Sequence, residues 1–177
     1  MGGGKLLLAL GGKPIVRWSV EALRPHVDDL VVVTGGGGEA IRAALAGLDV
    51  RFVENPRPES GQGSSIAVGV SALLERAEAV IIALGDQPRV PADVVPGLLA
   101  AWRRTGKSIV APVYRGVQGT PVLFAAAVFG ELSALAGDAG ARSVVAARPE
   151  RVARVAFDRE MPPDVDTPED FARLHVE

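Results

Sequence analysis

"AVIIALGDQP", residues 79–88, is the stretch whose reading decides the fold. Its first six residues are continuously apolar and rich in β-branched side chains, the pattern of a parallel strand with helices on both faces. The chain then leaves the strand: Gly85 permits a tight turn, Pro88 stiffens the exit, and Asp86 stands two residues beyond the apolar run. A second run of this kind, "LVVVT", occupies residues 30–34. Shorter strand candidates lie at 50–53, 108–113, 121–124 and 151–157, and helical patterns fall between them at 15–23, 39–46, 64–75, 92–104, 125–136 and 141–147. Thr167 is a candidate N-cap and Pro168 sits where a helix starts, so 169–176 reads as the last helix. Strand and helix alternate through most of the chain, which predicts an α/β sandwich with a mostly parallel sheet and right-handed crossovers.

Ligands of such sheets gather beyond the carboxyl ends of the strands. The loops in that position are "TGGGGEA" at 34–40, "ENPRPESGQGSS" at 54–65 and "GDQP". Asp86 is placed to be ordered without being buried, as a Mg²⁺ ligand requires, although an isolated Asp at a strand end serves equally well as a turn or helix cap. "PDVDTPED", 163–170, offers a second pair of carboxylates. If extended, it points Asp164 and Asp166 to the same side, and read alone it is also a good helix start. In "SGQGSS", Gly63 lets a ligand approach the backbone, and Ser64 and Ser65 offer hydroxyls suited to a base or ribose; a helix N-cap with a flexible lead explains them as well. "GDAGAR", 137–142, joins two predicted helices and carries Asp138 and Arg142, a pair that suits an anionic ligand or a surface turn. His26 and His175 have no partner acid or nucleophile in view.

Composition narrows the function classes. A formal net charge of -2 and a pI near 5.8 provide no basic footprint for a phosphate backbone, so nucleic acid is not an expected partner. With 177 residues and no cysteine, the chain reads as one domain without disulfides, thiolate nucleophiles or cysteine-held metals, and a cytoplasmic location is expected. "LLLAL", residues 6–10, is too short for a signal segment, and no apolar run is long enough to span a bilayer.

Together "MGGGKLLLALGGKPIVRWSVEAL", "VVVTG", "ENPRPESGQGSSIAVGV", "LGDQP", "GTPVLF", "GDAGAR" and "DVDTPEDFARL", in this order, resemble the MobA/MocA-like NTP transferases, most closely the molybdenum cofactor cytidylyltransferase branch. The resemblance implies a Rossmann-like three-layer sandwich in which residues 1–177 form a single nucleotidyltransferase domain. It implies transfer of a nucleoside monophosphate, CMP from CTP, to an acceptor phosphate such as that of a pterin cofactor, with pyrophosphate released. Asp86 and Asp166, helped by Asp164, become the Mg²⁺ ligands. Lys5 becomes the triphosphate lysine that ends the signature loop containing Gly2 and Gly3, and Lys13 a second lysine near the nucleotide. Gly63, Ser64 and Ser65 fall where base and ribose are held, and Thr120, Asp138 and Arg142 fall on the acceptor side. Two departures accompany the likeness: Thr120 stands where the family carries a histidine, and the chain is N-terminally truncated relative to the family, which begins with a central strand and a longer glycine loop. Two rival readings stand beside it: a truncated, weakly active or inactive member of the same family, and an NAD(P)-binding oxidoreductase using the loop 35–40, in which Gly35, Gly37 and Ala40 loosely match a dinucleotide fingerprint and Glu54 ends the next strand.

Overall fold

The computed structural model describes residues 3–176. After a 3₁₀ turn at Gly3–Leu7, two short antiparallel strands, β1 (Ala9–Leu10) and β2 (Lys13–Pro14), meet through Gly11 and Gly12, both at positive φ. Such a two-residue turn needs residues free of a Cβ penalty at both central positions. Then follow α1 (Ile15–Leu23), β3 (Val31–Thr34), α2 (Glu39–Ala44), β4 (Arg51–Glu54), α3 (Gln62–Ser71), β5 (Ala79–Ile82), α4 (Val94–Thr105), β6 (Ile109–Tyr114), β7 (Val117–Gln118), β8 (Val122–Ala125), α5 (Phe129–Ser133), α6 (Ala141–Ala147), β9 (Val152–Phe157) and α7 (Pro168–Val176).

Five of these strands form the main sheet. β8 lies between β5 and β6, antiparallel to both, β9 runs parallel along the whole of β6, and β7 hairpins back onto β6. The strands β5, β6 and β9 therefore share one direction. Alternation sends Ile109 and Ala111 of β6, with Val122 and Phe124 of β8, to one face, where they meet Val70 of α3, Phe129 and Leu132 of α5, and Val144 and Val145 of α6. Val110, Tyr114 and Leu123 point the other way onto Val94, Leu98 and Ala101 of α4. Three layers result, as the alternation of elements predicts.

β3 and β4 pair in parallel as a separate two-stranded sheet. Val32 and Phe52 of that sheet pack with Val16 and Val20 of α1 and with Leu6. Among the described residues β3 is laddered to β4 and β5 to β8, with no strand hydrogen-bonded between β3 and β5. The valines of β3 are accordingly half-buried, unlike the fully buried Ile109–Ala111 segment of β6.

A fourth cluster, in which Leu10, Ile15, Val165 and Leu174 are buried, ties the first hairpin and α1 to α7. It carries the C-terminal acidic segment back across the start of the chain. Among the described residues no helix is long and apolar enough to cross a membrane.

Candidate active site

The loop after β5 meets the segment before α7 through backbone first: the Val165 amide donates to the Asp86 carbonyl at 3.0 Å. Val165 itself is wholly buried, so its two flanking residues are turned to fixed positions. On the other side of the loop, Ser19 of α1 donates its hydroxyl to the Gly85 carbonyl at 3.0 Å, and a Cβ on Gly85 would come 3.6 Å from Leu6. The turn that carries Asp86 is thus held between α1, the 3₁₀ turn and the chain leading to α7.

Lys5 enters this junction. Its Nζ donates to Asp86 Oδ2 at 2.6 Å and to Asp166 Oδ1 at 2.7 Å, joining residues 81 and 161 positions apart. Lys5 and Asp86 are 19 % and 18 % exposed, whereas Asp166 is 66 % exposed. Burial pulls the Lys5 ammonium down, but the hydrogen bonds to Asp166 and Asp86 and their charges outweigh it and hold it above its usual value. It is a fixed cation between two carboxylates.

Asp164 is directed elsewhere, and the two carboxylates that alternation would set side by side have different partners. Asp164 Oδ1 accepts from Gln87 Nε2 at 2.5 Å. Gln87, 1 % exposed, also donates to the Pro162 carbonyl at 3.3 Å and accepts from the Thr120 hydroxyl at 2.5 Å. Thr120 precedes a cis peptide bond to Pro121, and its own carbonyl accepts from the Tyr114 hydroxyl at 3.0 Å. Burial pushes the Asp164 carboxyl above its usual value, the charges of Asp86 and Asp166 add to this, and the Gln87 hydrogen bond and the Arg142 charge oppose it. Arg142, exposed on α6, is therefore within electrostatic reach of the same junction.

Gly61 and the first turn of α3 pack against the chain at 137–139. The Gly63 amide donates to the Gly137 carbonyl at 2.9 Å, and a Cβ on Gly61 would lie 2.5 Å from Asp138 Oδ1 and from the Gly137 backbone. A Cβ on Gly63 would meet the Ala139 carbonyl at 2.8 Å, so glycine is needed here for the close approach of the start of α3 to the loop before α6. Asn55, 2 % exposed at the end of β4, donates from Nδ2 to Ser64 Oγ at 2.8 Å and to Ser65 Oγ at 3.0 Å. Neither Asn55 nor Gln87 stands out in the sequence; the signals they carry are position alone, Asn55 directly after β4 and Gln87 next to Asp86 in the loop after β5.

Gly2 lies outside the described residues, and Gly3 opens the first 3₁₀ turn. Lys13 is held apart from the Lys5 junction: its ammonium pairs with Glu21 at 2.7 Å and lies 4.2 Å over the Trp18 ring. Among the described residues the stretch 35–40 contributes no hydrogen bond or ion pair to the Lys5 junction. Gly37 has φ +80, and a Cβ on Gly38 would come 2.6 Å from Thr34 Oγ1, so these glycines have backbone and packing reasons to be present.

Two oxygen-bearing carboxylates joined by a lysine suit a hard divalent cation. Asp86 Oδ1 is buried with no hydrogen-bond partner, a lone oxygen whose need a cation would meet. Among the described residues no three His, Cys, Asp or Glu side chains group as in an all-protein metal cage. Mg²⁺ requires fewer, since one or two carboxylates with waters and phosphates complete its shell.

Over 176 residues the chain is 34 % identical to the molybdenum cofactor guanylyltransferase of Cereibacter sphaeroides, covering 98 % of this chain and 88 % of that one. It is 28 % identical over 186 residues to the purine catabolism protein PucB of Bacillus subtilis strain 168, covering 97 % and 87 %. Among solved structures, the manganese complex of Rv0371C from Mycobacterium tuberculosis H37Rv superposes with a TM-score of 0.84 at 31 % identity, covering 99 % of this chain and 94 % of that one. The MobA-like NTP transferase domain matches residues 1–152, and with that extent of match the chain belongs to this family of nucleotidyltransferases.

Proposed function

We propose that the chain transfers a nucleoside monophosphate from a nucleoside triphosphate to the phosphate of a pterin cofactor, with Mg²⁺ and release of pyrophosphate. The observation that carries the reading is Lys5 shared between Asp86 and Asp166, with Asp86 Oδ1 left partnerless beside them. Asp86 and Asp166 would hold Mg²⁺, which when bound offsets charge on the phosphates. Lys5, displaced from these carboxylates when the cation binds, supplies positive charge where negative charge develops on the departing pyrophosphate. Ser64 and Ser65, set by Asn55, face the ribose and base, while Lys13, freed from Glu21, serves the nucleotide. Thr120, Asp138 and Arg142 border the acceptor side. An acceptor phosphate oxygen attacks the α-phosphorus in line, its bond forming as the bond to pyrophosphate breaks. No protein nucleophile is needed, so the chain contributes positioning and electrostatics.

The nucleotide has two readings. The motif text of the chain favours CTP, and the Cereibacter relative, a guanylyltransferase, favours GTP. Pyrophosphate release with each nucleotide in turn, and with both in competition, separates them. Mg²⁺ with the correct nucleotide raises the melting temperature, and Asp86→Ala abolishes pyrophosphate release. A normal rate in that variant refutes the site. We place the reaction in the cytoplasm, where pterin cofactors and nucleoside triphosphates meet.

A further inference from the structure

The buried carboxamide of Gln87 settles a question of chemistry that the acceptor side leaves open. Its two faces are not interchangeable: one meets the Pro162 carbonyl and Asp164 Oδ1, the other the Thr120 hydroxyl. A carbonyl only accepts, so the end facing Pro162 is the NH₂ and the end facing Thr120 is the oxygen. That oxygen has no proton, and Thr120 must donate. The single hydroxyl hydrogen of Thr120 is then committed inward, at 2.5 Å to a residue that is 1 % exposed. Thr120 itself is half-buried, and what it can offer a ligand is lone pairs alone.

We infer that Gln87 is a positioning residue that makes Thr120 a pure hydrogen-bond acceptor, so that Thr120 reads an N–H or O–H group of the acceptor substrate and repels its phosphate. This rests on the nucleotidyltransferase reading of the site and sharpens its acceptor side. A phosphate oxygen ionised at neutral pH has nothing to donate, whereas a nitrogen heterocycle with ring N–H and exocyclic amine groups does. The anionic end of the acceptor falls to Arg142.

The test uses the full chain, a phosphorylated pterin followed by its own fluorescence, and inorganic phosphate as competitor, with no turnover required. Thr120→Val, close in shape and without the hydroxyl, is expected to weaken pterin binding roughly tenfold while leaving the competition constant of phosphate as in the wild type. Thr120→Ser restores pterin binding to within about twofold. Gln87→Met weakens the pterin similarly, and the double variant is no worse than either single one, because the two act through one hydroxyl. Weaker phosphate competition in Thr120→Val, unchanged pterin binding in that variant, or no pterin binding by the wild type overturns the inference. Wild-type pterin binding without pyrophosphate release refutes the transferase reading instead and leaves the Thr120 result legible.

Discussion

Replacing Lys5 by Met keeps most of the apolar stem and removes the charge between Asp86 and Asp166. The size of the effect follows from exposure. An ion pair at the surface is worth about 0.2–1 kcal/mol, and breaking a fully buried one costs about 3–5 kcal/mol. The Asp166 arm, with that carboxylate 66 % exposed, belongs at the surface limit, about 0.5 kcal/mol after solvent screening. The Asp86 arm lies between the limits, with both partners under one-fifth exposed and Oδ1 already without a partner, and about 1.5 kcal/mol is reasonable. The sum, about 2 kcal/mol, lowers the melting temperature of a domain of this length by roughly 4–8 °C in metal-free buffer. The raised value of Lys5 means its contribution is complete below about pH 10.5 and is lost only as pH rises through the folded value. The deficit should therefore be the same at pH 6 and pH 9. Mn²⁺ titrated into both proteins provides the decisive comparison. In the wild type a divalent ion competes with the ammonium, and in Lys5→Met it does not. The variant should gain more melting temperature from saturating Mn²⁺ than the wild type, by about the deficit it began with, although it loses pyrophosphate release. An unchanged melting temperature without metal, or equal gains with it, refutes the reasoning that Lys5 occupies the place of a cation.

Other consequences are as direct. The protein has one tyrosine, Tyr114, whose hydroxyl burial pushes up to about 12, so alkaline difference spectroscopy should give a single native transition near pH 12 that moves to about pH 10 on unfolding. A native transition near pH 10 contradicts the burial of that ring. Gly63→Ala places a methyl 2.8 Å from the Ala139 carbonyl, and is expected to lower the melting temperature and raise the KM of the nucleotide, as steady-state pyrophosphate release would register. Thr167→Ala removes the hydroxyl that caps the Asp170 amide at 3.1 Å, for a loss of roughly 2–4 °C in melting temperature. The Thr167 hydroxyl and amide hold the Asp170 carboxyl below its usual value, so that capping contribution is present above pH 3.8 and fades as pH falls through the folded value, which a melting series in acid should trace. Asp164→Asn keeps an oxygen for Gln87 and removes a charge that burial disfavours. It should raise the melting temperature at neutral pH, with the gain shrinking as acid protonates Asp164 in the wild type.

How far the sequence carries the fold depends on whether the deciding contact is local. α1 and α6 begin and end where the apolar spacing puts them, and the reciprocal Thr167 and Asp170 hydrogen bonds at the start of α7 are a capping box, legible in "DTPED". Where boundaries moved, a distant partner moved them. The run 79–84 stops as a strand at Ile82 because its ladder partner β8 starts at Val122, after Pro121, which has no amide to donate. The helix expected over 125–136 yields its first residues because Ala125 pairs with Ala79 and donates to the Ser108 carbonyl. The helix expected over 64–75 ends at Ser71, where bonds from Leu73 to Val70 and Arg76 to Leu73 tighten the last turn. The same distinction governs the site. Asp86 and Asp166 stand out in sequence because a charged residue at the end of an apolar run, or at a helix start, contrasts with its neighbours. Gln87 and Asn55 do not, since a polar amide in a loop reads as solvated. What buries Gln87 is the arrival of Thr120, Pro162 and Asp164 from positions 33, 75 and 77 residues away. A residue whose role is to turn another group's proton inward is defined by three partners at once, and no spacing along one segment encodes that. The charged ends of such a site are legible from sequence, whereas the hydrogen-bond polarity that would choose among acceptors appears only once the loops are assembled.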